Sequence, residues 1–202
     1  MTNQIFPTKG NLIAVKKSLE LARKGFELMD RKRNILIRET MSLIDSAKEI
    51  QEVINTTYAE AYKALQIANM TLGICDDLAE TVPVDDGISL DFRSVMGVNI
   101  PIVEYSPKPV ENLYGYSRTN SMLDDAFKKF DQVKNLTVKL AETENCIYRL
   151  ADGIKKTGKR ANSLKNIIIP RFEKTVRDIS NVLEEKEREE FSRLKVIKGD
   201  AL

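Results

Sequence analysis

Asn11-Leu12-Ile13-Ala14-Val15-Lys16-Lys17-Ser18-Leu19 opens a run, continuing to Glu80, whose reading decides the fold. Stepping alternately three and four residues from Leu12 gives Val15, Leu19, Ala22, Phe26, Met29, Arg33, Leu36, Thr40, Leu43, Ala47, Ile50, Ile54, Thr57, Ala61, Ala64, Ala68, Thr71, Cys75 and Leu78. Sixteen of these twenty positions are apolar, against 42% of the whole chain, so the row is a seam rather than a sample of the composition. A seam that keeps a 3.5-residue period over so many turns specifies a left-handed coiled coil. About seventy helical residues would make a rod of roughly 100 Å.

A second seam starts at Leu123 and runs through Ala126, Phe130, Val133, Thr137, Leu140, Glu144, Ile147, Ala151, Ile154, Gly158, Ala161, Lys165, Ile168, Phe172, Thr175 and Ile179 to Val182. It is weaker, with thirteen apolar positions of eighteen, but of similar length. Two amphipathic rods joined by a short connection bury both seams most economically against each other. The expectation is an all-α dominated fold: a long antiparallel two-helix coiled coil with a short β-hairpin in its central connection. The chain reads as a single elongated domain, 1–202. Its parts are an N-terminal helix over 11–80, a connection over 81–119 and a C-terminal helix over 120–197.

The connection carries its own signals. Four of the six prolines fall between Pro83 and Pro109, which excludes continuous helix. Within it the period drops to two: Ile88, Leu90 and Phe92, then Met96, Val98, Ile100 and Ile102. That alternation predicts a hairpin over about 88–105, turning within Met96-Gly97-Val98-Asn99. Thr8 or Asn11 is placed to cap the first helix, and Asn120 or Ser121 the second. Pro170 falls inside the second rod, where it removes a backbone bond and crowds the Asn166 carbonyl, so a kink is expected.

Charge is distributed unevenly. The net charge of +2 by itself points to no nucleic-acid partner. Residues 1–33 carry eight basic groups against three acids, and residues 149–177 carry nine against two. In an antiparallel pair these stretches lie side by side and make one positive end. Seven acids against one arginine between Asp76 and Glu104 make the opposite end negative. The middle of the first rod is apolar beyond its seam, at Ile44, Val53, Tyr58, Tyr62 and Leu65 among others. This is either a broadened internal seam or a second face for a partner. Gly25 lies inside the first helix, either tolerated at the surface or kept for close approach of another backbone.

The chain contains no histidine, no phosphate-binding Gly-rich loop and no clustered carboxylates beyond those of solvated helix faces. Nucleophile–imidazole chemistry is excluded, and no residue set supports an active site, a cofactor or a metal. With a turn near residue 101, Cys75 would face Phe127 and Cys146 would face Thr56, too far apart for a disulfide. No apolar run is long enough for a transmembrane helix, and the N-terminus lacks a signal peptide's apolar core. The expected location is cytoplasmic, with any membrane attachment indirect.

Several stretches go beyond periodicity. They are Pro7-Thr8-Lys9-Gly10-Asn11-Leu12-Ile13, Leu28-Met29-Asp30-Arg31-Lys32-Arg33-Asn34, Arg160-Ala161-Asn162-Ser163-Leu164, Ile169-Pro170-Arg171-Phe172 and Lys186-Glu187-Arg188-Glu189-Glu190-Phe191-Ser192-Arg193-Leu194-Lys195. With these the chain resembles the D subunits of the V-type (A/V-type) ATPases, along almost its whole length and most strongly at its ends. The resemblance implies a non-catalytic central-stalk rotor, an axle turning inside a ring of A and B subunits. It implies a companion F subunit on the axle's side and a funnel subunit linking it to the membrane ring. It would couple ATP hydrolysis or synthesis, which occurs at A–B interfaces, to ion transport, with no nucleic-acid partner and no direct membrane insertion. On that reading Arg31, Lys32, Arg33, Arg160 and Arg171 would meet the A/B ring. Ile44, Val53, Tyr58, Tyr62 and Leu65 would face the companion subunit. Phe92, Met96 and Val98 would belong to a hairpin that tunes coupling. The rival reading is a prefoldin-like coiled-coil chaperone subunit, which shares the helix–hairpin–helix order but should present apolar tips rather than charged ones. A basic coiled coil that binds nucleic acid is a second rival.

Overall fold

A computed structural model describes residues 6–75, 78, 80, 82, 86–106, 114 and 119–199. Helix α1 spans Lys9–Leu72, strands β1 (Ile88–Val95) and β2 (Val98–Tyr105) follow, and α2 spans Ser121–Ser163. A π-turn at Leu164–Ile168 leads into α3, Ile169–Gly199. The fold is thus mostly helical, with long helical segments paired and one two-stranded antiparallel hairpin. The chain divides into two compact units. One comprises Ile35–Ile154; the other takes the chain up to Asn34 and from Lys155 onward.

The ends of the helices follow from local chemistry. Thr8 is the cap of α1: its Oγ1 accepts from the Asn11 N–H at 3.2 Å, satisfying a first-turn donor. α1 stops at Leu72 because Gly73 adopts φ 84°, a left-handed conformation that glycine takes without penalty. The apolar period runs on to Cys75 and Leu78, which are half-buried beyond the helix. Of the residues expected to close the first rod, Asp76, Asp77 and Ala79 lie outside the described residues, as does Ser117 on the approach to the second. Asn120 caps α2 by accepting from the Leu123 N–H at 3.1 Å, and its amide donates to Thr71 Oγ1 at 2.8 Å. That bond ties the start of α2 to the end of α1.

In the unit Ile35–Ile154, α1 and α2 pair antiparallel and the hairpin lies on them. Its core is Leu36, Ile100, Cys146 and Leu150, with Leu43, Val95, Val98 and Ile154 packed around it. Every seam position of α1 from Leu12 to Ala68 is buried or half-buried within its own unit. On α2 the seam departs from its sequence period. Glu144 and Ala151 are exposed, and burial passes to Cys146 and Leu150. The cause is β2, which occupies that face of the helix through Ile100. Cys146 accordingly packs with Leu36 and Leu43 rather than facing Thr56, whereas Cys75 and Phe127 do line one cavity. Both thiols are free.

The hairpin turns one residue earlier than the alternation suggests. Val95 pairs with Val98, leaving Met96 (φ 50°) and Gly97 (φ 74°) as the two central residues. Positive φ at both positions is the type I′ pattern, whose twist matches that of the strands. The register sets Ile88, Leu90 and Phe92 opposite Tyr105, Val103 and Pro101, while Val95, Arg93 and Asp91 oppose Val98, Ile100 and Ile102. Directly paired residues share a face, so the apolar rows of β1 and β2 lie on opposite faces of the ribbon.

In the other unit, α1 up to Asn34 pairs antiparallel with the end of α2, the π-turn and α3. Lys9 Nζ meets Glu187 at 3.0 Å and Arg23 donates to Glu173 at 2.7 Å. Glu187 raises the pKa of Lys9 by hydrogen bonding to its ammonium and by charge. Pro170 is accommodated by widening the helix in front of it: the Ile169 N–H bonds to the Leu164 carbonyl, five residues back. The π-turn absorbs the crowding that would otherwise press the proline ring on the Asn166 carbonyl. Leu164 faces Gly25, where an added methyl would lie 3.9 Å from Leu164 Cδ1. That is ordinary contact, so Gly25 is not required by close approach.

Candidate functional site

Three groups of residues are expected to contact other chains: one cationic, one aromatic, one on the hairpin. The structure treats them differently.

The cationic group belongs to the unit formed by the chain's two terminal parts. Arg31, Arg160 and Arg171 are exposed and Lys32 is half-buried. Arg33 stands on the seam and turns inward. Its side chain lies across Gly158, its guanidinium pairs with Asp30 at 3.2 Å, and its Nε is buried without a hydrogen-bond partner. Arg33 thus packs its aliphatic stem over Gly158 of α2 and pairs its charge within α1. Through Gly158 it brings the 31–33 stretch to the level of Arg160. Arg171 sits farther along, near the level of the Arg23–Glu173 pair. Lys165, a seam position by its spacing, is exposed, with its ammonium 5.8 Å from the centre of the Phe26 ring. The charge pattern conceals one feature: Phe191, Leu194 and Ile197 of α3 are exposed at helical spacing among the alternating charges.

The aromatic group lies on α1 in the other unit. Tyr58 stacks on Tyr62 with ring centres 6.0 Å apart, and Tyr62 meets Phe130 of α2 edge-on at 5.6 Å. The geometry is that of favourable aromatic pairs, and it fixes Tyr62 while leaving about half of it in solvent. Val53 is exposed, whereas Ile44 is half-buried. Leu65 turns inward to line a cavity of about 440 Å³ with Cys75, Tyr114, Phe127 and Phe130. The five residues are therefore not one surface: Val53 and Tyr62 face outward, and Leu65 belongs to the interior.

The hairpin group is the most strongly constrained. β2 runs antiparallel to α2 and is held along its outer edge. Cys146 Sγ donates to the Pro101 carbonyl at 3.2 Å, and Arg149 donates to the Asn99 carbonyl at 3.3 Å. The Arg149 guanidinium also lies 5.5 Å from the centre of the Phe92 ring, and Lys134 lies 5.3 Å from that of Tyr105. Burial raises the pKa of the Cys146 thiol, which keeps it a neutral donor. Val98 is half-buried against the core, and Met96 is exposed at the turn. β1 is exposed over nearly its whole length. The N–H of Phe92 bonds to Asp91 Oδ1 at 2.7 Å, a capping contact that blunts an open sheet edge.

Among the described residues no group of His, Cys, Asp or Glu could hold a metal ion, and no helix is long and apolar enough to cross a membrane. A family model described as the D subunit of ATP synthase matches residues 11–199. The V-type ATP synthase D subunit of Thermotoga neapolitana is 43% identical over 196 residues, covering 96% of this chain and 97% of that protein. The A-type ATP synthase D subunits of Thermococcus sibiricus and Pyrococcus furiosus are each 36% identical over 201 residues, covering 97% of this chain and 94% of theirs.

Proposed function

The chain belongs to the family of ATP synthase D subunits, and from that premise we propose that it is the central rotor axle of a rotary V-type ATPase. In this role it couples ATP hydrolysis or synthesis in a ring of A and B subunits to rotation of an ion-translocating rotor in the membrane. The axle contributes no catalytic residue. Its asymmetry offers each of the ring's sites a different face, so each site holds a different nucleotide state through differential contact. Pairing of its helical segments is what transmits torque. The observation that carries this reading is a seam kept from Leu12 to Ala68 of the 64-residue helix α1 in a chain matched to the family from residue 11 to residue 199.

The cationic surface at Arg31, Lys32, Arg160 and Arg171 would meet acidic loops of the ring. Val53 and Tyr62 would face the companion F subunit, and the hairpin would adjust coupling. A funnel-like subunit would connect the base to the membrane ring, leaving this chain peripheral on the cytoplasmic side. The test is a tagged pull-down from native membranes. Nucleotide-binding A and B chains should be recovered in stoichiometric amounts. Recovery of the tagged chain without them would overturn the axle reading.

A further inference from the structure

Gly153 lies within α2, where glycine is a much poorer helix former than alanine. The structure supplies the reason it is there. A methyl group at 153 would lie 2.7 Å from Val98 Cγ2, 3.7 Å from Val98 Cγ1 and 3.8 Å from Leu36 Cδ1. The first distance is too short for carbon atoms to hold. Val98 cannot readily turn aside, because a β-branched side chain is stiff at χ1 and Val98 is packed against the cluster of Leu36, Ile100, Cys146 and Leu150. Val98 is also the first residue after the Met96–Gly97 turn, paired with Val95. Displacing it displaces the tip of the hairpin.

The notch belongs to a larger seat. Cys146, Arg149, Leu150 and Gly153 fall at i, i+3, i+4 and i+7, one face of a helix. They hold the Pro101 carbonyl, the Asn99 carbonyl, the Ile100 side chain and Val98 in turn. Three of these contacts attract; the fourth sets how close the strand can come. We propose that Gly153 is a positioning residue: it sets where the hairpin sits, and through the hairpin the rate at which the assembled complex turns over ATP. The seating stands on the geometry alone, and only its consequence for turnover rests on the axle reading.

Amide hydrogen exchange on the full-length chain decides the seating. Gly153→Ala should cut protection of the hairpin amides by roughly ten-fold or more, because an unsupported two-stranded ribbon is marginal in water. Amides of α1 and α2 should keep theirs, since alanine is the better helix former. In a Val98→Ala background the same substitution should change hairpin protection by less than about two-fold, since the colliding methyls are gone. Unchanged hairpin protection in Gly153→Ala, loss spreading through both helices, or the same loss in the Val98→Ala background would each overturn the seating. In the reassembled complex Gly153→Ala should shift ATP turnover in the same direction as deletion of 88–105, with Val98→Ala again suppressing its effect. An unseated hairpin with unaltered turnover would overturn the functional half. Failure of the wild-type chain to join A and B subunits would count against the axle reading and leave the exchange result standing.

Discussion

Single residues show how narrowly stability is distributed in a paired-helix protein. Leu36 and Leu150 are the largest side chains with almost no exposure, and both belong to the cluster beneath the hairpin. Leu36→Ala or Leu150→Ala should lower unfolding free energy by ~3 kcal/mol, through lost transfer energy and a cavity the rigid helices cannot close. Leu28→Ala, at a site about two-thirds exposed, should change it by less than about 0.5 kcal/mol. Urea unfolding followed by circular dichroism separates the two outcomes, and equal losses would contradict the assigned burial. Cys146 gives a pH dependence. Its folded pKa is raised above the ordinary 9.0, first by burial, so the unfolded thiol ionises first. The stability tied to the neutral thiol is therefore present below the unfolded value and is lost as pH climbs through it toward the folded one. Native Cys146 should also alkylate more slowly than half-buried Cys75, and a Cys146→Ser variant should lose that alkaline decline. Met96 is legible in the sequence as part of a turn but not as its first central residue. Alternation alone does not count turn residues, and Gly97 suits either placement.

At the scale of elements, the long helices are the most legible part of the chain and the hairpin's docking the least. The α1 seam read from sequence is buried or half-buried from Leu12 to Ala68, because a partner helix imposes the same period on every turn. The α2 seam fails at Glu144 and Ala151 because a strand, not a helix, covers that face, and strand contacts do not follow heptads. The seam read from Leu123 therefore passes beside Cys146, Leu150 and Gly153, although these share a helix face at i, i+4 and i+7. Pro170 is legible as a disruption, but the spacing of the sequence does not show that the chain meets it with a π-turn at Leu164–Ile168. The turn itself offers a further prediction. A non-glycine residue at positive φ is strained, and asparagine tolerates that conformation far better than methionine. Met96→Asn should thus stabilise the hairpin by up to about 1 kcal/mol, seen as slower exchange of the Val95 and Val98 amides. Deleting 88–105 should leave far-UV helicity nearly intact while altering ATP turnover in the reassembled complex. Helix content that collapses on deletion would mean the hairpin is structural, and unchanged turnover would remove its assigned role.

For the molecule as a whole, the decisive property is where unpaired charge is placed. In the unit built from the two ends of the chain, Lys9, Arg23, Lys24 and Arg33 each have a carboxylate partner within 3.2 Å. Arg31, Lys32, Arg160 and Arg171 have none among the described residues. Like charges held on one unit repel each other slightly, and on the proposed reading an acidic partner offsets that repulsion. Replacing all four by glutamate should leave the melting temperature within a few degrees of wild type, since exposed charges contribute little to folding. Affinity for the assembled A/B ring should fall by at least about ten-fold, because attraction at each contact becomes repulsion. Wild-type binding should itself weaken as salt rises from about 0.05 to 0.5 M, with the screening length shrinking accordingly. The same titration against duplex DNA tests the rival reading. A phosphate-binding surface would show a steep logarithmic salt slope, lost in the glutamate variant. Ring affinity that ignores the four substitutions, together with DNA affinity that depends on them, would transfer this surface from an axle's bearing to a nucleic-acid contact.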